Sequence, residues 1–511
     1  MKLAQLLQEI GPHHLAGSPE ADIAAVTYSS RQAGPGCLFV AVRGLKVDGH
    51  RFAADAVARG AVAVVCEEDL PGISCARVVV PNSREALGRL ACAFYNHPAR
   101  RLKMVGITGT NGKTTTSFLV ESILSAAGHK TGVVGTINYR FGGRSLAAPQ
   151  TTPESLDLQR LLGEMQEGGA THVVMEVSSH ALDLKRADGC AFDVAVFTNL
   201  TRDHLDYHQD MERYFTAKRR LFAELLSCNA SKGKGAAVVN LGDPFGERMA
   251  EGAARIIGFA LGFALAGGEN RPDIYPLEVK ATFAGIEARL ATPAGVIDIR
   301  SPLLGRHNVE NIMAAVGAAL ALGVEPKDIA AGIADLAAVP GRFQPVPNRA
   351  GIHVLVDYAH TDDALRHALG SLRQMGAERL TCVFGCGGDR DRGKRPLMGR
   401  AAGELADLVV VTSDNPRTED PEAIIAGILP GLGALGLPRL SPNECAGRRG
   451  YTVVVDRARA IEAAIRQAAP GEVVLIAGKG HEDYQIMGTE RRHFSDAEVA
   501  AAVLRTLEAA A

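Results

Sequence analysis

The sequence predicts an α/β protein of several domains built on parallel sheets, and three observations carry that prediction. Its 511 residues exceed what one ordinary hydrophobic core accommodates. One grammar recurs along the chain: a short apolar run, a polar or glycine-rich loop, then a helical pattern. The apolar runs are short and rich in β-branched residues, as strands buried on both faces of a sheet are. Hydrophobic content of 47% and charge of 22% suit a folded, soluble chain. A formal net charge of −2 gives no electrostatic footprint for nucleic acid or an anionic membrane surface. The start, "MKLAQLLQEIGPHH", lacks the basic and apolar regions of a secretion signal. No apolar stretch approaches the ~20 residues that cross a bilayer. The nine cysteines are scattered, and the closest pair, Cys382 and Cys386, has no second pair to complete a zinc site. The expectation is a cytoplasmic, reduced protein.

In chain order, "KMVGI" leads into "TGTNGKTT", "HVVMEV" into "SSHAL", and "VAVF" into "TNLTRDHLDYH". Farther on, "HVLVDYAH", "RLTCVFGCGGDRDRGKR", "ADLVVVTSDNPR" and "EVVLIAGKGHEDYQ" repeat the order. Such sheets bind ligands at the carboxyl ends of their strands, where these polar loops fall. "YNHPAR" (95–100) and the proline-rich "AAVPGRFQPVPNRAG" (337–351) read as breaks. Three domains are expected. They are a smaller N-terminal α/β domain at 1–98, a central P-loop ATPase-type parallel sheet at 99–336, and a C-terminal Rossmann-like sheet at 337–511.

In "GITGTNGKTTT", Gly109, Asn111 and Gly112 let the backbone curl so that its amides point inward, as a phosphate cradle requires. Lys113 supplies a point charge for the β and γ phosphates, and the Thr114 hydroxyl is placed for magnesium. The loop departs from the commonest P-loop spelling, with two residues rather than four between Gly109 and Gly112. The helix that follows has apolar Phe118, Leu119, Ile123 and Leu124, with Gly128 as its stop. Glu176 ends the strand "HVVME", on the face where magnesium belongs. His204 lies in a loop with Asp203 and Asp206. Lys218 follows in a helical segment; on spelling alone it reads as a solvated lysine beside Arg219 and Arg220. Near the end, "GDRDRGKRP" (388–396), "SDNPRTEDP" (413–421) and "GKGHEDYQ" (478–485) each follow an apolar strand. Arg390 and Arg417 suit a carboxylate through paired hydrogen bonds, while Glu482 suits an ammonium. Both signs in one pocket point to a zwitterion such as an amino acid. Each motif alone is also compatible with a salt-bridged surface loop.

Taken together, these residues resemble the Mur ligase family, from "TYSSRQAGPGCLFVAVRGLKVDGHRF" to "GKGHEDYQ". The ATP loop and "NLTRDHLDYH" mark the family, and "DNPR" marks its diaminopimelate-adding branch. The resemblance implies an ATP-dependent, ADP-forming amide ligase of peptidoglycan precursor synthesis. It would add meso-2,6-diaminopimelate to the D-glutamyl carboxylate of UDP-MurNAc-L-Ala-D-Glu through an acyl phosphate. The three domains would bind, in order, the uridine nucleotide, ATP and the incoming amino acid. Ser30, Leu45, Lys46 and Val47 would touch the UDP-sugar. Gln150, Thr151, Thr152, Ser178, Leu184 and Arg186 would line its peptide end. Gly109, Thr110, Asn111, Gly112, Lys113, Thr114 and Thr115 would hold the ATP phosphates, and Asn308, Arg342 and Asp357 the rest of the nucleotide. Thr114 and Glu176 would bind one magnesium ion. His204 and Lys218, carrying a CO₂-derived carbamate as N6-carboxylysine, would serve a second. Arg390, Asp414, Asn415, Pro416, Arg417, Gly478 and Glu482 would bind diaminopimelate. Lys113, His204 and Lys218 would be the catalytic groups. The partners implied are small molecules only, with no nucleic acid and no membrane insertion, acting on a monomer. Two departures stand out: Asp362 occupies a position where the family commonly has proline, and Ser29 one where it often has aspartate. Two rivals share parts of the pattern: a folylpolyglutamate-type synthetase, and a P-loop module that binds nucleotide to switch a partner.

Overall fold

The computed structural model describes residues 1–44, 47–226, 233–262 and 272–510, so the expected contacts of Leu45 and Lys46 lie outside the described residues. The chain forms two compact units. One comprises Met1–Leu277, Leu290–Ile297 and Glu310–Ile333; the other comprises Glu278–Arg289, Asp298–Val309 and the chain from Ala334 onward. No helix among the described residues is long and apolar enough to cross a membrane.

The first unit holds two large sheets. A five-stranded sheet runs in the order His14–Ala16, Ala76–Val79, Ala61–Cys66, Cys37–Val40, Ala25–Thr27, parallel except at its first pair. The helices Leu3–Leu7 and Ser83–Phe94 bury their apolar faces on it. The second sheet has eight strands. Its parallel part runs Arg255–Phe259, Ala236–Asn240, Val194–Phe197, Lys103–Thr108, His172–Glu176, Thr131–Val134, and the hairpin Asn138–Phe141 with Arg144–Ala147 closes one edge antiparallel. The central strands are buried end to end, which explains their unbroken Val, Ile and Met runs. Register then fixes the chemistry: Glu176 lies opposite Ile107, and Phe197 opposite Thr108, so three loops leave the sheet beside one another.

In the second unit, six strands run Gln344–Pro345, His353–Asp357, Val473–Ala477, Leu380–Phe384, Leu408–Val411, Gly450–Val453, parallel except at the first pair. One face is covered by helices Asp362–Gln374, Lys394–Leu405 and Pro421–Gly433, the other by Arg457–Arg466 and Asp496–Ala510. The late strand Val473–Ala477 inserts between two earlier ones, and this brings the loop after it beside the loop that follows Phe384. Asp362 is the first residue of its helix, capped by the Thr361 hydroxyl accepting from the Ala364 amide at 3.2 Å. That position tolerates proline because its amide has no intrahelical partner, and an aspartate there is favoured by the helix dipole.

Arg457 and Asp496 form an ion pair with both side chains fully excluded from solvent, through two 2.7 Å hydrogen bonds. Arg457 also donates to the carbonyls of Ser413 at 3.3 Å and Ala477 at 3.0 Å, tying together the ends of two strands. Removing one member leaves an uncompensated buried charge, a loss of about 3–5 kcal/mol. Arg457→Met is therefore expected to lower unfolding free energy by that amount in urea denaturation of the full chain. A loss under about 1 kcal/mol would refute this account of the pair.

Candidate active site

The glycine loop joins the strand Lys103–Thr108 to the helix Lys113–Ala126. Gly109 and Gly112 have φ of +150° and +88°, and a side chain at either would collide with a neighbour: the Thr198 hydroxyl at Gly109, the Asn311 amide oxygen at Gly112. Glycine is thus required twice over, by backbone conformation and by space. Two residues of the next loop brace this one. Thr198 donates to the Asn111 carbonyl at 2.6 Å, and the Asn199 amide oxygen accepts from the Asn111 amide at 2.9 Å. Lys113 folds back on the carbonyls of Gly109 and Thr110 at 2.7 and 2.8 Å. An ammonium held in this way at a helix N-terminus lies where a phosphate chain would be cradled.

Glu176, buried at the end of its strand, accepts from the hydroxyls of Thr114 at 2.9 Å and Thr136 at 2.8 Å and from the Thr136 amide at 3.0 Å. Its own carbonyl accepts from the Thr152 hydroxyl at 2.8 Å, which in turn accepts from the Ser178 amide at 3.1 Å. Thr151 joins through Thr136 at 3.1 Å, and Arg186 binds Gln150 and the Thr152 carbonyl. Leu184 ends the short helix Ser179–Asp183, which Ser178 caps. The residues named from sequence around the phosphates and along the peptide side thus form one linked set. Thr114 and Glu176 offer oxygen donors of the kind a hard divalent cation takes. One carboxylate is enough for magnesium, which fills its remaining positions with phosphate oxygens and water.

Lys218 overturns the bland reading of its spelling: it is only 1% exposed. Its amine donates to the Gly109 carbonyl at 2.9 Å and stands 4.5 Å from the centre of the Tyr214 ring. Burial first, and the Lys113 charge second, hold its pKa well below the ordinary lysine value, while Asp203 opposes. His204 has φ of +53° and starts a short helix; its ring lies 4.9 Å from that of His180 and 6.2 Å from that of Tyr214. Its pKa is also lowered, chiefly by burial, with Lys113 and Lys218 pushing the same way against Asp203.

Near the N-terminus, Ser30 is buried, and Val47 is exposed. Within the second unit, Asp357 accepts from the amides of Phe343 and Ala359, each at 2.9 Å, and Arg342 lies over the Tyr358 ring at 4.8 Å. Asn308 donates to the Leu304 carbonyl at 2.7 Å. Asn311, one turn farther along the same helix, is the asparagine that touches the glycine loop.

The sheet edge of the second unit gathers the remaining motifs. Asn415 donates to Glu482 at 2.8 Å and accepts from Lys479 at 3.2 Å and the Ile486 amide at 3.0 Å. Arg417, at φ +54°, donates to the Gly388 carbonyl at 2.8 Å, and the Gly388 amide donates to the Asn415 carbonyl at 2.9 Å. A side chain on Gly388 would overlap the Pro416 carbonyl. Glu419 does not neutralise Arg417: it pairs with Arg395 at 2.9 Å and Arg392 at 3.2 Å. Arg390 is solvent-facing, its guanidinium 3.1 Å from the Asp389 carbonyl.

Models of three Mur ligase regions match this chain: the catalytic domain of the family at residues 22–95, the middle domain at 107–319, and the glutamate ligase domain at 341–480. UDP-N-acetylmuramoyl-L-alanyl-D-glutamate–2,6-diaminopimelate ligase of Geobacter metallireducens is 49% identical, with 99% of each chain covered. The chain belongs to the Mur ligase family. The enzyme of the same name from Gloeobacter violaceus is 48% identical over 98% of this chain and 97% of its own. A solved structure of a ligase so named aligns over 99% of this chain and 100% of that one, with a TM-score of 0.70 at 34% identity. Folylpolyglutamate synthase of Mycobacterium tuberculosis shares the fold at a TM-score of 0.57 and 18% identity, covering 82% of this chain and 93% of that one.

Spelling did not single out Thr136, Thr198, Asn199, Asn311 or Lys479 in this Mur ligase. Each acts through a tertiary contact: Lys479 falls within "GKGHEDYQ" and Thr198 and Asn199 within "TNLTRDHLDYH", yet spelling gives them no role. For the glycine loop, Gly112→Ala is expected to cost about 1–3 kcal/mol, the strain of a non-glycine residue at positive φ pressed against Asn311. Chemical denaturation measures it, and an unchanged midpoint would contradict the assigned loop geometry.

Proposed function

We propose that this Mur ligase joins meso-2,6-diaminopimelate to the D-glutamyl carboxylate of UDP-MurNAc-L-Ala-D-Glu, consuming ATP and releasing ADP and phosphate, in peptidoglycan precursor synthesis. The observation that carries the reading is the pocket edge of the second unit. There Arg417 is oriented by the carbonyls of Gly388 and Asn415 and forms no ion pair with a carboxylate among the described residues, beside the Asn415–Glu482 pair. Full-length likeness to relatives bearing that activity in their names supports it. Residues 1–98 would bind the UDP-sugar through Ser30 and Val47, 99–336 the ATP, and 337–511 the amino acid. Such an enzyme would act as a monomer in the cytoplasm, where ATP and nucleotide sugars are held.

Joining a carboxylate to an amine is uphill in water unless oxygen first becomes a leaving group. A glutamyl carboxylate oxygen attacks the γ-phosphorus of ATP, the bond to the bridging oxygen breaks, and ADP departs, leaving an acyl phosphate. The neutral amine of diaminopimelate attacks the acyl carbon; inorganic phosphate leaves and the amine loses a proton. Thr114 and Glu176 would hold one magnesium ion and His204 with Lys218 a second, and the bound metal would supply charge neutralisation for the phosphoryl group. Lys113 turns from the loop carbonyls to the phosphates. Thr151, Thr152, Ser178 and Arg186 orient the peptide end, and Asn308, Arg342 and Asp357 the nucleoside. Asp414, Arg390 and Arg417 hold the far end of diaminopimelate, with Pro416 and Gly478 shaping the pocket.

Lys218 would act as a carbamate. An amine reacts with CO₂ only when neutral, and burial beside Lys113 favours that form. Lys218→Ala is expected to be nearly inactive and partly restored by acetate, which returns a carboxylate to the gap; intact mass lacking the added CO₂ in active enzyme would refute the carbamate. The far carboxylate of diaminopimelate distinguishes it from lysine, and a site built to bond such a group rejects the analogue lacking it by roughly 10⁴-fold. Steady-state assays with both amino acids are expected to show that preference. Arg417→Ala should raise KM for diaminopimelate more than it lowers kcat. Equal kcat/KM for lysine and diaminopimelate in the unaltered enzyme would sink the assignment.

A further inference from the structure

Lys479 is the buried cation of the second unit that the proposed reaction leaves without a task. Its side chain is fully excluded from solvent. Its amine lies 3.2 Å from the Asn415 amide oxygen, 3.4 Å from the Glu482 carboxylate and 3.6 Å from the Asp414 carboxylate, and 5.5 Å from the centre of the Tyr484 ring. Three of those four neighbours belong to the proposed amino-acid site. Asp414 Oδ1 is itself buried and accepts no hydrogen bond; the Lys479 amine, 3.6 Å away, is its ion-pair partner.

We infer that Lys479 offsets the acidic wall of this pocket, alongside Arg390 and Arg417, and thereby biases which far end of an amino acid it accepts. The inference rests on the proposed function and adds a residue that touches neither reacting atom. Asp414 and Glu482 alone would present two negative charges at the pocket wall; with Lys479 between them the cluster carries one. An amino acid whose far end bears both carboxylate and ammonium is neutral there. A diamine with a single carboxylate carries a full positive charge at the same place. A doubly negative wall would favour the second and repel the carboxylate of the first, and the buried ammonium corrects that bias. Discrimination here is a difference of two affinities, tuned as much by what is disfavoured as by what is held. One unit charge at such distances in a partly buried site is enough for about a tenfold change or more.

The test is the ratio of kcat/KM for meso-diaminopimelate to that for L-lysine, in the full-length enzyme and in Lys479→Met and Lys479→Gln. Gln retains a donor for Asn415 without the charge, so it separates charge from bracing and serves if the Met variant does not fold. The inference expects the ratio to fall by about tenfold or more in the folded variants, through a loss with diaminopimelate exceeding that with lysine. If both amino acids weaken alike and the ratio holds, Lys479 merely braces the loops and the inference is wrong. An unaltered enzyme that fails to discriminate overturns the proposed function instead, which keeps the two failures distinguishable.

Discussion

A buried carboxylate that accepts three hydrogen bonds organises the first unit. Burying an ionised glutamate is costly unless hydrogen bonds replace its lost water. Glu176 recovers them from Thr114 at the start of the loop helix and from Thr136 after a neighbouring strand. Its backbone carbonyl meanwhile receives Thr152, and Thr152 receives Ser178. Four segments distant in sequence are therefore held in register by one residue at a strand end. Such a carboxylate is a structural strut that would also serve the proposed cation, because the hydroxyl that it binds is itself an oxygen donor.

The second unit solves the same problem with the opposite charge. Arg457 and Asp496 are sealed in the core, and the guanidinium hydrogens left over reach the carbonyls of Ser413 and Ala477. Those carbonyls immediately precede Asp414 and Gly478, so the two pocket loops start from fixed points. Glycines then allow the loops to meet: a side chain at Gly385 or Gly388 would overlap the backbone of residues 412–416. In both units polar strand ends are positioned by groups that are themselves saturated, which is the condition for a preorganised site.

Much of this was legible in sequence, for identifiable reasons. Parallel strands buried on both faces write themselves as apolar runs, and a P-loop is a local motif whose glycines and lysine lie within one turn. The helix stop was equally local: the helix ends at Ala126, and Gly128 follows at φ +80°. Lys218 was illegible because charged flanking residues disguise a position whose burial comes from tertiary packing. The partners of Arg417 were illegible too, since backbone carbonyls have no spelling, and of the acidic residues just after it Glu419 serves Arg395 and Arg392 while Asp420 caps the next helix. Asn308 and Asn311 illustrate the limit: the two share a helix, and only the three-dimensional path decides that Asn311 faces Gly112.

The placement of two lysine amines on one carbonyl has a further consequence. Lys113 and Lys218 both donate to Gly109, at 2.7 and 2.9 Å. A single carbonyl satisfies two donors through its two lone pairs, yet two full positive charges so close, one of them without solvent, repel strongly. The strain is relieved when the buried member gives up its proton. It keeps an N–H for Gly109 and gains a lone pair. The shared carbonyl thus favours the neutral, nucleophilic form of the buried Lys218. Conversion of that nucleophile to a carbamate would replace repulsion by attraction to Lys113, so the modification would stabilise the loop that it serves.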